Sequence, residues 1–181
     1  MSYPPPTTTE AFLSWFEQQR ADQIRCELVA GVVRDWPRFT ARQAMIRSEL
    51  GFRISDGLKR AGRNARALFR ATVPMPPDSA PDPDIVVAVL QPGENYIPVR
   101  SVLLIVDTLV TQVPHEHLTR RTVYARSLVP EVWAIDLDAA HVCRFWDPSV
   151  GRYRNQDESR LSSGIRSVTI PDLLVETDKL N

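Results

Sequence analysis

The sequence predicts an α/β fold: a mixed sheet with a parallel strand–helix–strand core, flanking N-terminal helices and a C-terminal antiparallel hairpin. Three short runs rich in β-branched residues, at 85–90, 102–106 and 132–137, are apolar on both faces, which is typical of strands buried inside a sheet. The segment 116–127 between the last two runs is long enough for one helix. Because such a crossover joins parallel neighbours, those two strands are predicted to be parallel.

The N-terminal part predicts a helix followed by a small hairpin. Thr7 and Glu10 have the spacing of a capping box, and an apolar stripe follows them, so we expect a first helix over 8–20. Residues 25–34 predict two short strands around a turn at Ala30–Gly31.

The longest predicted helix runs over 40–61. Its apolar residues recur every four positions while its basic residues fall largely elsewhere, which indicates an amphipathic helix, and Gly62 fits its C-terminal cap. A strand with mixed faces is expected at 66–73. The proline-rich segment 74–83 then predicts an extended loop that leads into Asp84.

The last third of the chain predicts antiparallel structure. Residues 141–146 alternate in polarity as a strand does, and residues 147–153 are expected to turn into a hairpin partner. Residues 165–170 are expected to form a further edge strand.

Length and composition are those of an ordinary globular protein. The chain has 181 residues, 43% of them hydrophobic and 24% charged, with no net charge. We expect a flexible leader over 1–6 and a single domain over 7–181. No apolar run reaches the roughly 18 residues that span a bilayer, and the leader lacks the features of a signal peptide, so we expect a cytoplasmic protein with no membrane partner. Cys26 and Cys143 are expected to be reduced thiols.

The charges are unevenly distributed along the chain. Segment 38–70 carries nine basic residues against two acidic ones, whereas segment 71–107 carries five acidic residues against one basic one. A basic helix beside an acidic pocket suits a polyanion held near a metal, and a solvated helix face remains the alternative. The residues that we expect to bind nucleic acid are Arg42, Arg53, Lys59 and Arg60.

Two carboxylates lie where a site is expected. Asp84 follows Pro83 at the entry to the first buried strand, and Asp107 ends the apolar run of the second. If the two strands are neighbours, the side chains converge, and two carboxylates could hold Mg²⁺ or Mn²⁺. The alternatives are that Asp84 only stabilises the turn before its strand and that Asp107 only caps the end of its strand.

Several motifs carry a resemblance to a known family. They are Glu27-Leu28-Val29-Ala30-Gly31, Pro83-Asp84-Ile85-Val86-Val87, and Tyr124-Ala125-Arg126 followed by the segment Val129 to Leu137. Their order and spacing resemble the Uma family of putative restriction endonucleases, a branch of the PD-(D/E)XK nuclease superfamily. The resemblance implies a restriction-endonuclease-like fold, a DNA endonuclease activity that uses Mg²⁺ or Mn²⁺, DNA as the partner, and a homodimer as one oligomeric state.

The family pattern extends to individual positions of this sequence. It assigns the catalytic glutamate to Glu27 and the aspartate of the Pro-Asp motif to Asp84. Asp107 falls where the family usually has a glutamate, and Arg120 falls where it has a lysine, four residues before the supporting tyrosine, Tyr124. Without the resemblance, Glu27 would be a surface strand residue, and Arg120 would be a helix charge that pairs with a neighbour one turn away.

Two of these positions depart from the family pattern. Asp107 is one methylene shorter than glutamate, and Arg120 stays protonated where a lysine can lose its proton or orient a water. The sequence therefore predicts a metal-dependent DNA endonuclease with an altered active site. The alternative is a catalytically inactive protein that keeps the nuclease fold as a nucleic-acid-binding or interaction module.

Overall fold

The computed structural model describes residues 5–18, 26–35, 39–109, 114–178 and 180. In chain order these residues form α1 (Thr9–Gln18), β1 (Cys26–Val29), β2 (Val32–Asp35), α2 (Ala41–Arg60), β3 (Arg66–Phe69), β4 (Ile85–Ala88), β5 (Val102–Leu109), α3 (Pro114–Arg126), β6 (Glu131–Asp136), β7 (His141–Ser149), β8 (Arg152–Arg160), β9 (Ile165–Arg166) and β10 (Leu174–Val175). Residues 19, 20 and 25, to which the predicted helix and hairpin extend, lie outside the described residues, as do residues 1–4 of the predicted leader.

A six-stranded mixed sheet, in the order β3-β4-β5-β6-β7-β8, forms the centre of the fold. Strands β5 and β6 are parallel and are joined by α3, whereas the other neighbouring strands of this sheet are antiparallel. The predicted mixed sheet, with its parallel strand–helix–strand core and C-terminal hairpin, is confirmed. In the described part of the chain, no helix is long and apolar enough to cross a membrane.

The two faces of the sheet are covered by different helices. On one face, the apolar stripe of α2 packs in one cluster with Val106 and Trp133. On the other face, Val123 and Tyr124 of α3 pack in a cluster with Ile105. Because both faces are covered, the central strands are apolar on both sides, as the sequence indicates.

The helix boundaries follow local signals. Thr40 caps α2 in a capping box with Gln43, so the predicted helix over 40–61 is confirmed to within one residue at each end. Gly62 follows the helix with φ +63°, a conformation that favours glycine. At α1, the capping residue is Thr8 instead of Thr7, since the Thr8 hydroxyl accepts a hydrogen bond from the Ala11 amide at 3.3 Å.

The hairpin of β1 and β2 turns at Ala30–Gly31 as predicted, with positive φ at both residues. The hairpin is attached to the proline-rich loop, because Leu28 and Ala80 form a β-bridge with reciprocal backbone hydrogen bonds. This attachment holds Glu27 beside the residues that precede β4.

The prediction of an edge strand over 165–170 is wrong. Only β9 is extended, and it pairs with β10 in a separate two-stranded sheet. The amides of Val168 and Thr169 donate to the buried carboxylate of Glu131, so they are unavailable to a strand ladder. The hairpin of β7 and β8 turns at Val150–Gly151, inside the predicted segment 147–153, and β7 is three residues longer than the strand predicted over 141–146.

Candidate active site

Glu27 lies on β1 with its carboxylate pointing into the protein, where it is 6% exposed. One oxygen, Oε1, accepts from Nη1 of Arg120 at 2.5 Å, and the other, Oε2, accepts from the backbone amide of Asp82 at 3.0 Å. The hairpin, the proline-rich loop and α3 therefore meet at this one side chain.

Asp107 on β5 forms a bidentate pair with the same arginine. Nε and Nη2 of Arg120 lie 3.1 and 3.2 Å from the two carboxylate oxygens, and the hydroxyl of Tyr124 donates to Oδ2 at 2.9 Å. Nε of Arg120 also donates to the Tyr124 hydroxyl at 3.0 Å. Arg120 and Tyr124 are one turn apart on α3, so both reach the same carboxylate. Arg120 thus joins Glu27 to Asp107.

Asp84 lies directly before β4, and the antiparallel pairing of Ile85 with Val106 brings it to the end of β5. Its Oδ2 accepts from the backbone amide and the hydroxyl of Thr108, at 2.8 and 2.6 Å. The same oxygen pairs with Nη2 of Arg47 at 3.2 Å. Because the two strands are antiparallel, the start of one and the end of the other bring Asp84 and Asp107 to the same edge of the sheet.

Arg47 is a site residue that the sequence reasoning missed. It lies on α2, is 8% exposed, and donates through Nε to the Thr108 hydroxyl at 2.5 Å. The ring of Phe39 lies 3.2 Å from its guanidinium carbon. A signal was available, because Arg47 precedes the buried Leu50 by three residues and so lies on the apolar side of the helix.

Burial and charge together set the protonation of the site. Burial alone would lower the pKa of Arg120, but the negative charges around it, foremost Asp107, hold that pKa well above its ordinary value. Burial raises the pKa of Glu27 although Arg120 opposes the shift. Asp82 is also a site residue that sequence reasoning missed: burial raises its pKa to about 7, with a further contribution from Glu27.

The residues predicted to bind DNA are spread over α2 and differ in their contacts. Arg42 and Lys59 are exposed. Arg53 donates to Glu49 and to the carbonyls of Glu176 and Asp178, and Arg60 pairs with Asp56 at 2.9 Å. Arg42 and Lys59 are therefore the members of this set best placed to meet a phosphate.

The divalent ion that the sequence predicts does not fit the site as it is arranged. Both oxygens of Glu27 and both oxygens of Asp107 contact hydrogen-bond donors, and Arg120 contributes to each carboxylate. Asp84 is paired with Arg47. Among the described residues, no three or more of the types His, Cys, Asp and Glu are grouped so that they could hold a metal ion. A cation placed between these acids would meet two guanidinium groups.

Comparisons with known proteins agree with the fold and with the resemblance in the motifs. Residues 9–176 match the model of the Uma2 family, described as a putative restriction endonuclease. Among solved structures, the chain is similar to a putative nuclease belonging to DUF820 from Anabaena variabilis, with a TM-score of 0.69, 18% identity, and coverage of 97% of each chain. No curated protein matches the chain.

Proposed function

Since the chain belongs to the Uma2 family of putative restriction endonucleases, we propose that it binds DNA and that its altered site has lost phosphodiester cleavage. One observation carries the proposal: Arg120, which the family resemblance assigns to the position of the family lysine, is held by both Glu27 and Asp107. A residue that activates water must be able to take up or direct a proton. The guanidinium of Arg120 stays charged and has its donors directed at carboxylates, so it supplies neither.

The basic side of α2 is the proposed contact with DNA. Arg42 and Lys59 are exposed there, and each phosphate contact that a protein loses weakens binding and reduces its dependence on salt. The charge reversals Arg42→Glu and Lys59→Glu together should reduce the salt slope of DNA binding by about two. Arg152→Glu is the control, because Arg152 is also exposed but lies on β8, at the opposite edge of the sheet from β3, against which α2 packs.

Binding is measured by fluorescence anisotropy with a labelled duplex across a range of salt concentrations. We expect wild type and the Arg152→Glu control to bind alike, and the double variant to bind more weakly. Equal binding by all three would remove α2 from the interface. No binding by wild type would contradict the proposal as a whole.

Cleavage is measured on supercoiled plasmid with Mg²⁺ or Mn²⁺, with Asp84→Asn alongside. We expect intact plasmid in every reaction. Nicking that requires the metal and disappears in Asp84→Asn would contradict the proposed loss of cleavage.

Metal-dependent cleavage of DNA is the second candidate function. It is favoured by one specific observation, which is a network of side chains from separate elements: Arg120 bonds to both Glu27 and Asp107. Asp84 lies next to this network, because it accepts a hydrogen bond from Thr108, the residue that follows Asp107. Arg120→Lys restores the family residue at this position. An active but weakened enzyme should cleave faster after this change, whereas the first proposal predicts that the single change leaves cleavage absent.

A further inference from the structure

We infer that this site excludes divalent cations, because Arg47 and Arg120 supply the positive charge that a metal ion would otherwise bring to Asp84, Glu27 and Asp107. The inference goes beyond the proposed function, which concerns DNA. It is also tested separately, since ion binding is measured without DNA and without any turnover.

Asp84 already has a cationic partner. It is paired with Arg47 at 3.2 Å, and the hydroxyl of Thr108 connects the two residues a second time, accepting from Arg47 and donating to Asp84. A cation at Asp84 would therefore lie beside a guanidinium that is held in two ways. Arg47 cannot relieve the repulsion by losing its proton, because an arginine remains charged in proteins.

Glu27 and Asp107 share one cationic partner, Arg120. Arg120 donates to Glu27 through Nη1 and to Asp107 through Nε and Nη2, so one guanidinium uses all three of its nitrogen atoms on these acids. The planar fork matches a carboxylate in a way that a lysine amine does not. Mg²⁺ demands near-ideal octahedral geometry and loses its water reluctantly, which makes it a poor competitor for carboxylates that are already paired.

The two arginines reach the acids from different helices. Arg47 comes from α2 on one face of the sheet and Arg120 from α3 on the other, so Asp84 before the start of β4 and Asp107 near the end of β5 are enclosed from both sides. Both arginine side chains are largely buried, with 9% and 16% of their surface exposed. Neither side chain can swing into solvent without leaving a buried carboxylate without its partner, which is strongly unfavourable.

The experiment is a titration of the wild-type protein with Mn²⁺, followed by electron paramagnetic resonance of the free ion. Asp84→Asn is titrated in parallel to identify ions bound by acids elsewhere on the surface. We expect identical titrations for the two proteins. A Mn²⁺ ion that wild type binds at millimolar concentration or below, and that Asp84→Asn does not bind, would overturn the inference.

A second variant tests the cause. Replacing both arginines in Arg47→Met, Arg120→Met leaves the carboxylates without counter-ions, so Mn²⁺ should now bind at least tenfold more tightly than to wild type. At a tenfold excess over its dissociation constant, Mn²⁺ should raise the melting temperature of this variant by roughly 3–6 °C and leave that of wild type unchanged. A folded double variant that binds Mn²⁺ no more tightly than wild type would overturn the inference. If the double variant does not fold, the wild-type titration alone decides.

Discussion

The buried carboxylate of Glu131 and the buried carboxylates of the candidate active site have different kinds of hydrogen-bond donors. Glu131, at the start of β6, has no exposed surface and accepts hydrogen bonds from neutral groups. These donors are the Trp133 indole at 2.7 Å, the Ser167 hydroxyl at 2.6 Å, the Val168 amide at 3.1 Å, and the amide and hydroxyl of Thr169 at 2.9 and 2.8 Å. The candidate active site instead uses Arg47 and Arg120.

The kind of donor distinguishes Glu131, a structural carboxylate, from the carboxylates of the candidate active site. Neutral donors that are fixed by backbone and by short side chains hold Glu131 in one place, and they bind the loop around residue 168 to the sheet. At the site, the donors of Glu27, Asp84 and Asp107 include the positive charges of two long side chains, Arg47 and Arg120. A site with this composition is therefore sensitive to charge, whereas the surroundings of Glu131 are sensitive to hydrogen-bond geometry.

The largest effect is expected from Arg120→Met, which leaves two buried carboxylates without their partner. Breaking a buried pair by removing one member typically costs about 3–5 kcal/mol, because the remaining charge is uncompensated. We expect a loss of this size in the free energy of unfolding, measured by urea denaturation.

Arg126→Met is the matched control for this change. Arg126 lies on the same helix and pairs with Asp78, but its side chain is 41% exposed, so its loss should cost less than about 1 kcal/mol. Equal losses for the two variants would show that Arg120 is an ordinary helix charge.

The second largest effect is expected from Glu131→Gln. The amide group of glutamine would turn N–H groups toward donors that now meet an acceptor, and we expect a loss of about 2–3 kcal/mol. Hydrogen exchange at the amides of Val168 and Thr169 should become faster at the same time. The exposed Glu158→Gln, on β8, serves as the control and should change neither measurement.

Sequence reasoning found the main parts of the fold because each is indicated locally. Capping residues, the period of apolar residues and buried β-branched runs are read within a few positions, and they placed α2, β5 and α3 correctly. The edge strand at 165–170 failed because its amides donate to Glu131, more than thirty residues earlier in the chain. Local alternation does not indicate such a distant acceptor.

The site was predictable only in part, for the same reason. Asp84 and Asp107 were located from their positions at strand ends, and Glu27 and Arg120 through the family motifs. The structure brings Glu27, Asp107 and Arg120 together. Arg47 was counted only as a basic residue of a helix, since its pairing with Asp84 depends on how α2 packs on the sheet. Its position on the apolar side of α2 was the available signal, and a charge on that side requires a buried partner.

A smaller effect is expected at Asp82, and it depends on pH. Its pKa is raised to about 7 in the folded protein, mainly by burial, against an ordinary value near 4. The folded state therefore favours the protonated form, and the stability from this group is lost as the pH rises from about 4 to about 7. Glu27 adds to the shift, while a hydrogen bond with Thr72 and the charges of Arg120 and Arg70 oppose it.

The test is to compare wild type with Asp82→Asn across this range of pH. Because the variant cannot ionise at this position, the difference in free energy of unfolding should shift in its favour by about 2 kcal/mol from pH 5 to pH 7, which is half of the full shift of about 4 kcal/mol. Urea denaturation at each pH gives both values. A difference that stays constant would mean that the pKa of Asp82 is not raised in the folded state.

The smallest effect is expected from Arg120→Lys, which separates charge from geometry at the site. A lysine keeps the positive charge near Glu27 and Asp107 but loses the bidentate fork, so we expect a loss of about 1 kcal/mol. Urea denaturation beside Arg120→Met provides the measurement. If lysine costs as much as methionine, the shape of the guanidinium holds the acids and the site resembles the surroundings of Glu131. If lysine costs much less, positive charge is the requirement, and the two carboxylate groups differ as their donors indicate.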